Sequence, residues 1–465
     1  MVFAGRNVLV AGAGVTGRSA VRALTERGAR VTVTDGNAER LAELDGLGAE
    51  LAPGLTEPPA GTNLVVTSPG WRPTAPLLVA SAAAGIEVIG DVELAWRASR
   101  DLPNPATWLA VTGTNGKTTT VGMLESMLRA GGVHALACGN IGLPVLDAVF
   151  EGYEVLAVEL SSFQLHWSST LAPHASVVLN LAEDHLDWHG TMESYAAAKG
   201  TIHAHSNVVV HNSDDPWSVR LAGEYAPAGA KRVGFRLDTP RPGELGLVED
   251  LLIDRAYGPD PQHSADELIS ASEVRPAGPH NLANALAAAA LARAYGIDPA
   301  GVAKGLREFQ PGAHRAVEVG EFGGVRYVND SKATNPHAAA GSLLAHSSVV
   351  WIAGGQLKGA AVDELVEVVA GRLRGVVLMG ADAPVIAAAL ARHAPDVPVH
   401  RVASGDDGAM NEAVSVASDL ARPGDVVLLA PAGASLDMFR NYAHRGDAFA
   451  DAVLARATGS ADDGR

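Results

Sequence analysis

Thr112-Gly113-Thr114-Asn115-Gly116-Lys117-Thr118-Thr119 is the stretch from which the fold is read. Before it runs Trp108-Leu109-Ala110-Val111, short, apolar and β-prone, and after it Val121 to Ala130 shows helical spacing, so the glycines sit at a strand-to-helix turn. Such a turn attracts anions. Its glycines let backbone N–H groups approach phosphate oxygens, the helix N-terminus adds partial positive charge, Lys117 can reach outer phosphates, and Thr118 can offer its hydroxyl to Mg²⁺. Strict phosphate-loop spacing asks for glycine at 111, where this chain has Val111, and the glycine has moved to 113. An ordinary glycine-rich turn is the alternative; Lys-Thr-Thr after an Asn-Gly step favours a nucleotide.

At 465 residues the chain exceeds one ordinary core and suggests about three domains. Hydrophobic residues make up 47% and charged residues 19%, which indicates neither wholesale disorder nor a membrane protein. The most apolar run, Leu282 to Ala294, is interrupted by Asn284 and Arg293 and reads as a buried helix. No export signal precedes the first strand at Asn7, and a single cysteine, Cys138, fits a reducing cytoplasm. A net charge of −17 argues against a nucleic-acid partner, which needs a basic surface, but leaves small anionic ligands open.

The N-terminal segment reads Asn7-Val8-Leu9-Val10-Ala11, then Gly12-Ala13-Gly14-Val15-Thr16-Gly17, then a helical pattern from Ser19 to Arg27, then Arg30 to Asp35. Strand, glycine trio, helix, strand and acid together form the dinucleotide-binding fingerprint, so a nucleotide or nucleoside diphosphate is expected here. Taken alone, this segment says NAD and a nicotinamide-dependent dehydrogenase. After the strand Asn63 to Thr67, Ser68-Pro69-Gly70 turns the chain at a ligand-facing sheet end.

Asp101-Leu102-Pro103-Asn104-Pro105 reads as a linker, because two prolines block helix and pairing. Beyond the phosphate loop and Gly139-Asn140-Ile141-Gly142, a buried strand Val155 to Val158 ends in Glu159, an acid placed to hold Mg²⁺ or to cap a neighbouring group. A further strand, Ser176 to Asn180, leads into Glu183-Asp184-His185-Leu186-Asp187-Trp188-His189, oxygen and nitrogen ligands that match no zinc spacing. That cluster serves a metal or a substrate, or is a solvated acidic loop. Lys199, at the end of an alanine-rich helix, reads from chemistry alone as a surface charge. Residues 238 to 263 read as turns and short strands of an insertion. Gly278-Pro279-His280-Asn281 opens a helix whose Asn281 and Asn284 share one face and could meet adenine or cap the helix.

Gln310-Pro311-Gly312-Ala313 marks a second boundary, followed by His314-Arg315. The last third alternates strand and helix again, with strands at Val325 to Asn329, Val349 to Ala353, Val376 to Met379 and Val426 to Leu429. Thr458 onward is small and polar and is expected to be disordered. The expected fold is α/β in three domains: an N-terminal Rossmann-like domain (1–104), a central P-loop-type ATPase sheet (105–312) and a C-terminal Rossmann-like domain (313–465). Hinge motion at 310–313 would bring the third domain onto the second.

Together these motifs resemble the Mur ligases, over nearly the whole chain. Thr112 to Thr119 is similar to that family's ATP loop, including the moved glycine; Glu159, Glu183 to Asp187, His280 to Ala285, His314-Arg315 and Asp330 to Asn335 fall in the family's order. Glu159-Leu160-Ser161-Ser162-Phe163-Gln164-Leu165 and Ala434-Ser435-Leu436-Asp437-Met438-Phe439 resemble the D-glutamate-adding branch, and the Asp-Asn-Pro-Arg signature of the diaminopimelate-adding branch does not occur. The resemblance implies a monomeric ligase that activates the carboxylate of UDP-N-acetylmuramoyl-L-alanine with ATP and joins it to D-glutamate in peptidoglycan precursor synthesis.

It also implies residue roles. Gly113, Thr114, Asn115, Gly116, Lys117, Thr118, Thr119, Asn281, Arg315 and Asp330 would face ATP. Val15, Thr16, Asp35, Ser68 and Gly70 would hold uridine diphosphate, and Asn140, Ser161 and Gln164 the muramoyl-alanine end. Thr118 and Glu159 would bind one Mg²⁺, and His185 with a carbamylated Lys199 a second; Lys117, His185 and Lys199 would carry the chemistry. Thr334, Lys358, Ser435, Leu436 and Tyr442 would grip D-glutamate. Two departures stand out: Tyr442 takes the place of an expected phenylalanine, and the segment Gly354 to Lys358 lacks an acid before its lysine. Other amino-acid-adding Mur-type ligases, the dehydrogenase, and a non-catalytic nucleotide-binding regulator remain the alternatives.

Overall fold

The computed structural model describes residues 3–402 and 408–462, the backbone alone from 457 onward. Three sheets carry the chain. In the first, β1 (Asn7–Ala11), β2 (Arg30–Thr34), β3 (Glu50–Leu51), β4 (Leu64–Thr67) and β5 (Glu87–Gly90) lie in the order β3-β2-β1-β4-β5, every pair parallel. Val8 to Ala11 and Leu64 to Val66 are buried, as unbroken apolar runs must be when helices cover both sheet faces.

The second sheet has nine strands: β6 (Thr107–Thr112), β7 (Ala135–Gly139), β8 (Val155–Glu159), β9 (Ala175–Val178), β10 (Val208–Asn212), β11 (Lys231–Phe235), β12 (Glu244–Val248), β13 (Leu251–Asp254) and β14 (Asp266–Ser270). Their order is β14-β13-β12-β11-β10-β9-β6-β8-β7, parallel from β7 to β12 and antiparallel beyond. The phosphate-loop strand β6 thus lies inside the sheet, flanked by β8 and β9. The segment read as an insertion instead extends this sheet, because β12 pairs with β11 and β13 folds back on β12.

In the third sheet β15 (Val317–Phe322), β16 (Val325–Asn329), β17 (Val349–Gly354), β18 (Leu373–Met379), β19 (Val399–Arg401) and β20 (Val426–Ala432) follow the order β15-β16-β20-β17-β18-β19, with only the β15–β16 pair antiparallel. The last helix, Tyr442–Asp462, continues past Thr458, so residues 458–462 are helical where a disordered tail was expected. Alanines lie before this stretch, at 448, 450, 452, 455 and 457, and adding residues to a helix already formed costs less than starting one. Residues 463–465 of that expected tail lie outside the described residues.

Two compact units emerge from the packing: residues 1–273 with 283–309, and 274–282 with 310–465. Within the first, the opening and central sheets interlock through polar side chains. Glu93 is buried, accepts the Ser169 and Thr170 amides at 3.0 Å each, and pairs with Arg97 at 2.8 Å. Asp147 accepts from Ser19 Oγ at 2.7 Å and Arg22 Nη2 at 2.6 Å. Asp91 opens the helix Asp91–Ser99 and accepts from Gln164 Nε2 at 3.2 Å. Burial pushes its carboxyl up to about 6, with the Gln164 bond opposing.

A raised folded-state pKa gives Asp91 its full stability contribution at low pH and loses it as pH rises through about 6. Asp91→Asn is therefore expected to gain stability relative to the parent by about 2–3 kcal/mol between pH 4 and pH 8. Melting curves of both proteins at the two pH values test this; an offset independent of pH would show that the carboxyl ionises normally.

Candidate active site

The central site is built where β6, β8 and β9 end together. The helix Lys117–Ala130 starts directly on the glycine turn, four residues earlier than its apolar spacing indicated. Gly116 has φ +85°, and a Cβ there would overlap Asn284 Oδ1, so only glycine fits. Asn180, expected as the last residue of a strand, lies beyond β9 and works through its side chain: Asn115 N donates to Asn180 Oδ1 at 2.9 Å and Asn180 Nδ2 returns to Asn115 O at 3.2 Å. Thr114 Oγ1 lies 3.0 Å from the Tyr195 hydroxyl and accepts the Ala182 amide at 3.0 Å. The loop is held from the side, its shape set before any ligand arrives. Asn180 and Tyr195 were not singled out from the sequence, because both roles depend on contacts 65 and 81 residues away.

Thr118 Oγ1 donates to Glu159 Oε2 at 2.7 Å, and Asn140 Nδ2 to Glu159 Oε1 at 3.0 Å. Glu159 is 2% exposed. A hydroxyl and a carboxylate converge beside a phosphate-type loop, oxygen donors that suit a hard cation. Thr119 follows in the same first helical turn.

Lys199 is not a surface charge. It is 2% exposed, and its Nζ donates to Gly113 O at 2.9 Å and Thr112 Oγ1 at 3.3 Å, with the Tyr195 ring 4.8 Å away. Helical spacing placed it on an alanine-rich helix, but only the packing shows that this end of the helix points inward. Burial, then the field of Lys117, drives its pKa well below the ordinary lysine value. Lys117 Nζ bonds Gly113 O at 2.8 Å and Thr114 O at 2.9 Å, so both lysine nitrogens meet at one carbonyl.

His185 has a left-handed φ of 54° and packs against the Phe163 ring at 4.8 Å. Desolvation lowers its pKa, Asp184 opposes this, and Lys199 and Lys117 add to it; 43% of the side chain stays open, so solvent screens these effects. The neighbouring His189 stacks on Phe163 and contacts Ser162 Oγ at 2.9 Å. Ser161 and Gln164 form a capping box on the helix Ser162–His166, with Gln164 buried.

At the N-terminal sheet, Asp35 accepts the Ala13 amide at 2.7 Å and the Asn37 amide at 2.8 Å, and Thr16 Oγ1 donates to Ser68 Oγ at 3.3 Å. Val15 is 74% exposed beside the glycine turn, and Gly70 is exposed in the turn after β4.

The remaining candidates belong to the second unit. Asn281 is buried and contacts His280 Nε2 at 2.9 Å and Ala277 O at 3.2 Å, while Asn284 of the same helix belongs to the first unit. Asp330 accepts the Ala316 amide at 3.3 Å; burial pushes its carboxyl up to about 6 and Arg315 opposes this. Lys358 is exposed with φ 55°, Ser435 is buried, and Leu436 is 66% exposed. Thr334 donates its amide to Lys332 O at 2.8 Å, and Lys332 Nζ lies 4.0 Å from the Tyr442 ring centre. Arg445, a buried arginine among these strand ends, was missed, since nothing in its sequence neighbourhood marks it as buried.

Three family descriptions match the chain: a Mur ligase MurD-like N-terminal domain over residues 6–90, the Mur ligase middle domain over 111–292, and a Mur ligase glutamate ligase domain over 314–433. A Thermobifida fusca protein named UDP-N-acetylmuramoylalanine--D-glutamate ligase is 58% identical over 98% of this chain and 100% of its own length. A Streptomyces coelicolor protein of the same name is 56% identical over 97% and 98%. Among solved structures, a UDP-N-acetylmuramate-alanine ligase from Thermotoga maritima is 19% identical, covers 97% of this chain and 99% of its own, and superposes with a TM-score of 0.58, a likeness of fold. With relatives this similar along both chains from end to end, the protein belongs to the Mur ligase family.

Proposed function

We propose that this protein is the ATP-dependent ligase that adds D-glutamate to UDP-N-acetylmuramoyl-L-alanine in peptidoglycan precursor synthesis. The observation that carries the reading is the 58% identity to a relative of that name over its full length, joined to a phosphate loop whose lysine folds over the loop carbonyls and whose threonine bonds a buried carboxylate. A dehydrogenase leaves that loop without a purpose.

In this reading three domains divide the work: 1–104 holds the uridine nucleotide, 105–312 ATP, and 313–465 the amino acid. Val15, Thr16, Asp35, Ser68 and Gly70 surround the uridine diphosphate, and Asn140, Ser161 and Gln164 orient the muramoyl-alanine end. ATP lies on the backbone of 113–116, with Lys117, Thr118, Thr119, Asn281, Arg315 and Asp330 as its other partners. Thr334, Lys358, Ser435, Leu436 and Tyr442 receive D-glutamate. The enzyme acts in the cytoplasm as a monomer.

The ATP γ-phosphoryl group passes to the substrate carboxylate, and the amine of D-glutamate then displaces phosphate and leaves an amide. Two anions must meet, so the charge has to be neutralised as it develops. Lys117 supplies a cation on the loop. Mg²⁺, when bound, screens the phosphates; the hydroxyl of Thr118 and the carboxylate of Glu159 fit it, and His185 with Lys199 fits a second ion. His185, its pKa lowered by desolvation, is the neutral imidazole that metal ligation needs. A neutral Lys199 amine can add CO₂, forming an N–C bond and releasing a proton, which replaces a cation by a carbamate anion. Burial, then the field of Lys117, shifts Lys199 toward that neutral amine.

Phosphate release from ATP with and without the muramoyl nucleotide and a panel of amino acids tests the function; equal turnover with L-alanine and D-glutamate would sink it. Lys117→Ala should lower kcat by about 10³-fold or more, the usual scale for a lost phosphate-stabilising cation, and near-parent activity would remove the loop from the mechanism. Lys199→Ala should lose activity and regain part of it with added short carboxylic acids, whereas full activity without them would dismiss the carbamate. Asp35→Ala is expected to raise KM for the uridine nucleotide about tenfold while leaving KM for ATP in place; the reverse pattern would exchange the two domain assignments.

A further inference from the structure

We infer that Arg445 is a positioning residue for the amino-acid substrate: its guanidinium ties the ends of three neighbouring strands into one wall and sets a buried positive charge behind it, favouring an amino acid with two carboxylates. This rests on the D-glutamate reading and extends it to a residue outside the proposed contact set.

Arg445 sits in the first turn of the helix Tyr442–Asp462 and is 2% exposed. Its Nε donates to Ser331 Oγ at 3.0 Å, its Nη2 to Ser331 O at 2.9 Å, and its Nη1 to Gly433 O at 3.0 Å and more weakly to Gly354 O at 3.5 Å. Ser331 follows β16, Gly354 ends β17 and Gly433 follows β20, and these strands stand side by side as β16-β20-β17. Ser331 Oγ passes its own proton on to Tyr442 O at 2.7 Å. One planar cation therefore braces all three strand ends, a geometry that the fork of five donors allows and a single ammonium does not.

The braced loops also lock to one another. Gln356 and Ala434 exchange two backbone bonds of 2.8 Å, and Ala432 N donates to Ala333 O at 2.9 Å. A Cβ on Gly355, whose φ is +112°, would overlap Ala434 O. Lys358 and Ala432 carry left-handed φ values of 55° and 62°, which L residues hold only when their surroundings insist. Thr334, Lys358 and Ser435 ride on these segments, so their relative placement depends on the brace.

Packing alone would not select a cation here. Burial penalises the charge, and the first turn of a helix is the end whose dipole repels it. Burial lowers the guanidinium to about 10, with Asp437 opposing, so it remains charged at neutral pH. The hydrogen bonds of this charge go to carbonyl and hydroxyl oxygens, and Asp437 offsets part of it, so the remainder is what an anion at the strand ends would meet. A dianionic amino acid gains from it; one with an uncharged side chain gains less.

Steady-state kinetics of the full chain and of Arg445→Met, Arg445→Lys and Ser331→Ala, with melting temperatures alongside, test the inference. Arg445→Met should raise KM for D-glutamate by about tenfold or more and narrow the preference for D-glutamate over D-glutamine, with KM for ATP and the muramoyl nucleotide within about twofold. Arg445→Lys keeps the charge but loses the fork, so it should raise KM for D-glutamate and retain the preference; it carries the test if Arg445→Met does not fold. Ser331→Ala should show a smaller rise of the same kind. An unchanged KM for D-glutamate, or an equal rise for all three substrates, overturns the inference. If the parent protein shows no D-glutamate-dependent phosphate release, the functional reading falls first; if it does and the variants match it, only the role of Arg445 falls.

Discussion

Two lysine side chains reach the same carbonyl oxygen, Gly113 O, at 2.8 and 2.9 Å. Two nearby unit charges repel by a few kcal/mol at an effective dielectric of about 20, and burial adds to the penalty for the enclosed one. Lys117 lies at the loop and Lys199 is buried behind it, so the second gives way and its pKa falls. The surroundings of the site follow from that inequality: one amine stands at the loop, and the enclosed one is pushed toward its neutral form.

Such a division needs a loop that does not yield. Asn180, just past β9, holds its backbone and Tyr195, from the helix Met192–Gly200, holds its Thr114 hydroxyl, while Thr118, Glu159 and Asn140 close a short polar chain beside it. Glu93, Asp91 and Asp147 then lock the opening sheet to the central one, so that both sheets of the first unit belong to one body. The second unit uses a comparable device. Placing a guanidinium in its interior costs several kcal/mol, and hydrogen bonds to a charged group return about 1.5–3 kcal/mol each, so Arg445 is tolerated only because its donors are used together.

Much was legible in the residues themselves. The three sheets, the position of the phosphate loop at a strand-to-helix turn, and the buried alanine-rich helix follow from apolar periodicity and from glycine, which are local signals. Strands β3, β5, β7, β15 and β19 and the full extent of the central sheet did not, because strands at or near sheet edges gain their stability from neighbours rather than from their own composition. Resemblance supplied what periodicity could not, namely which of many polar residues belong together.

Lys199 and Arg445 mark the division most clearly. Their identities, and therefore their capacity for charge, are written in the chain; that Lys199 is an enclosed amine and Arg445 a cation braced against three strand ends is a property of the packing. By itself the sequence determined the succession of strands, helices and glycine turns, since these depend on residues a few positions apart. Only the tertiary structure decided which ionisable groups lose water and which neighbours they then face, because desolvation and Coulomb fields act across space between segments far apart in the chain.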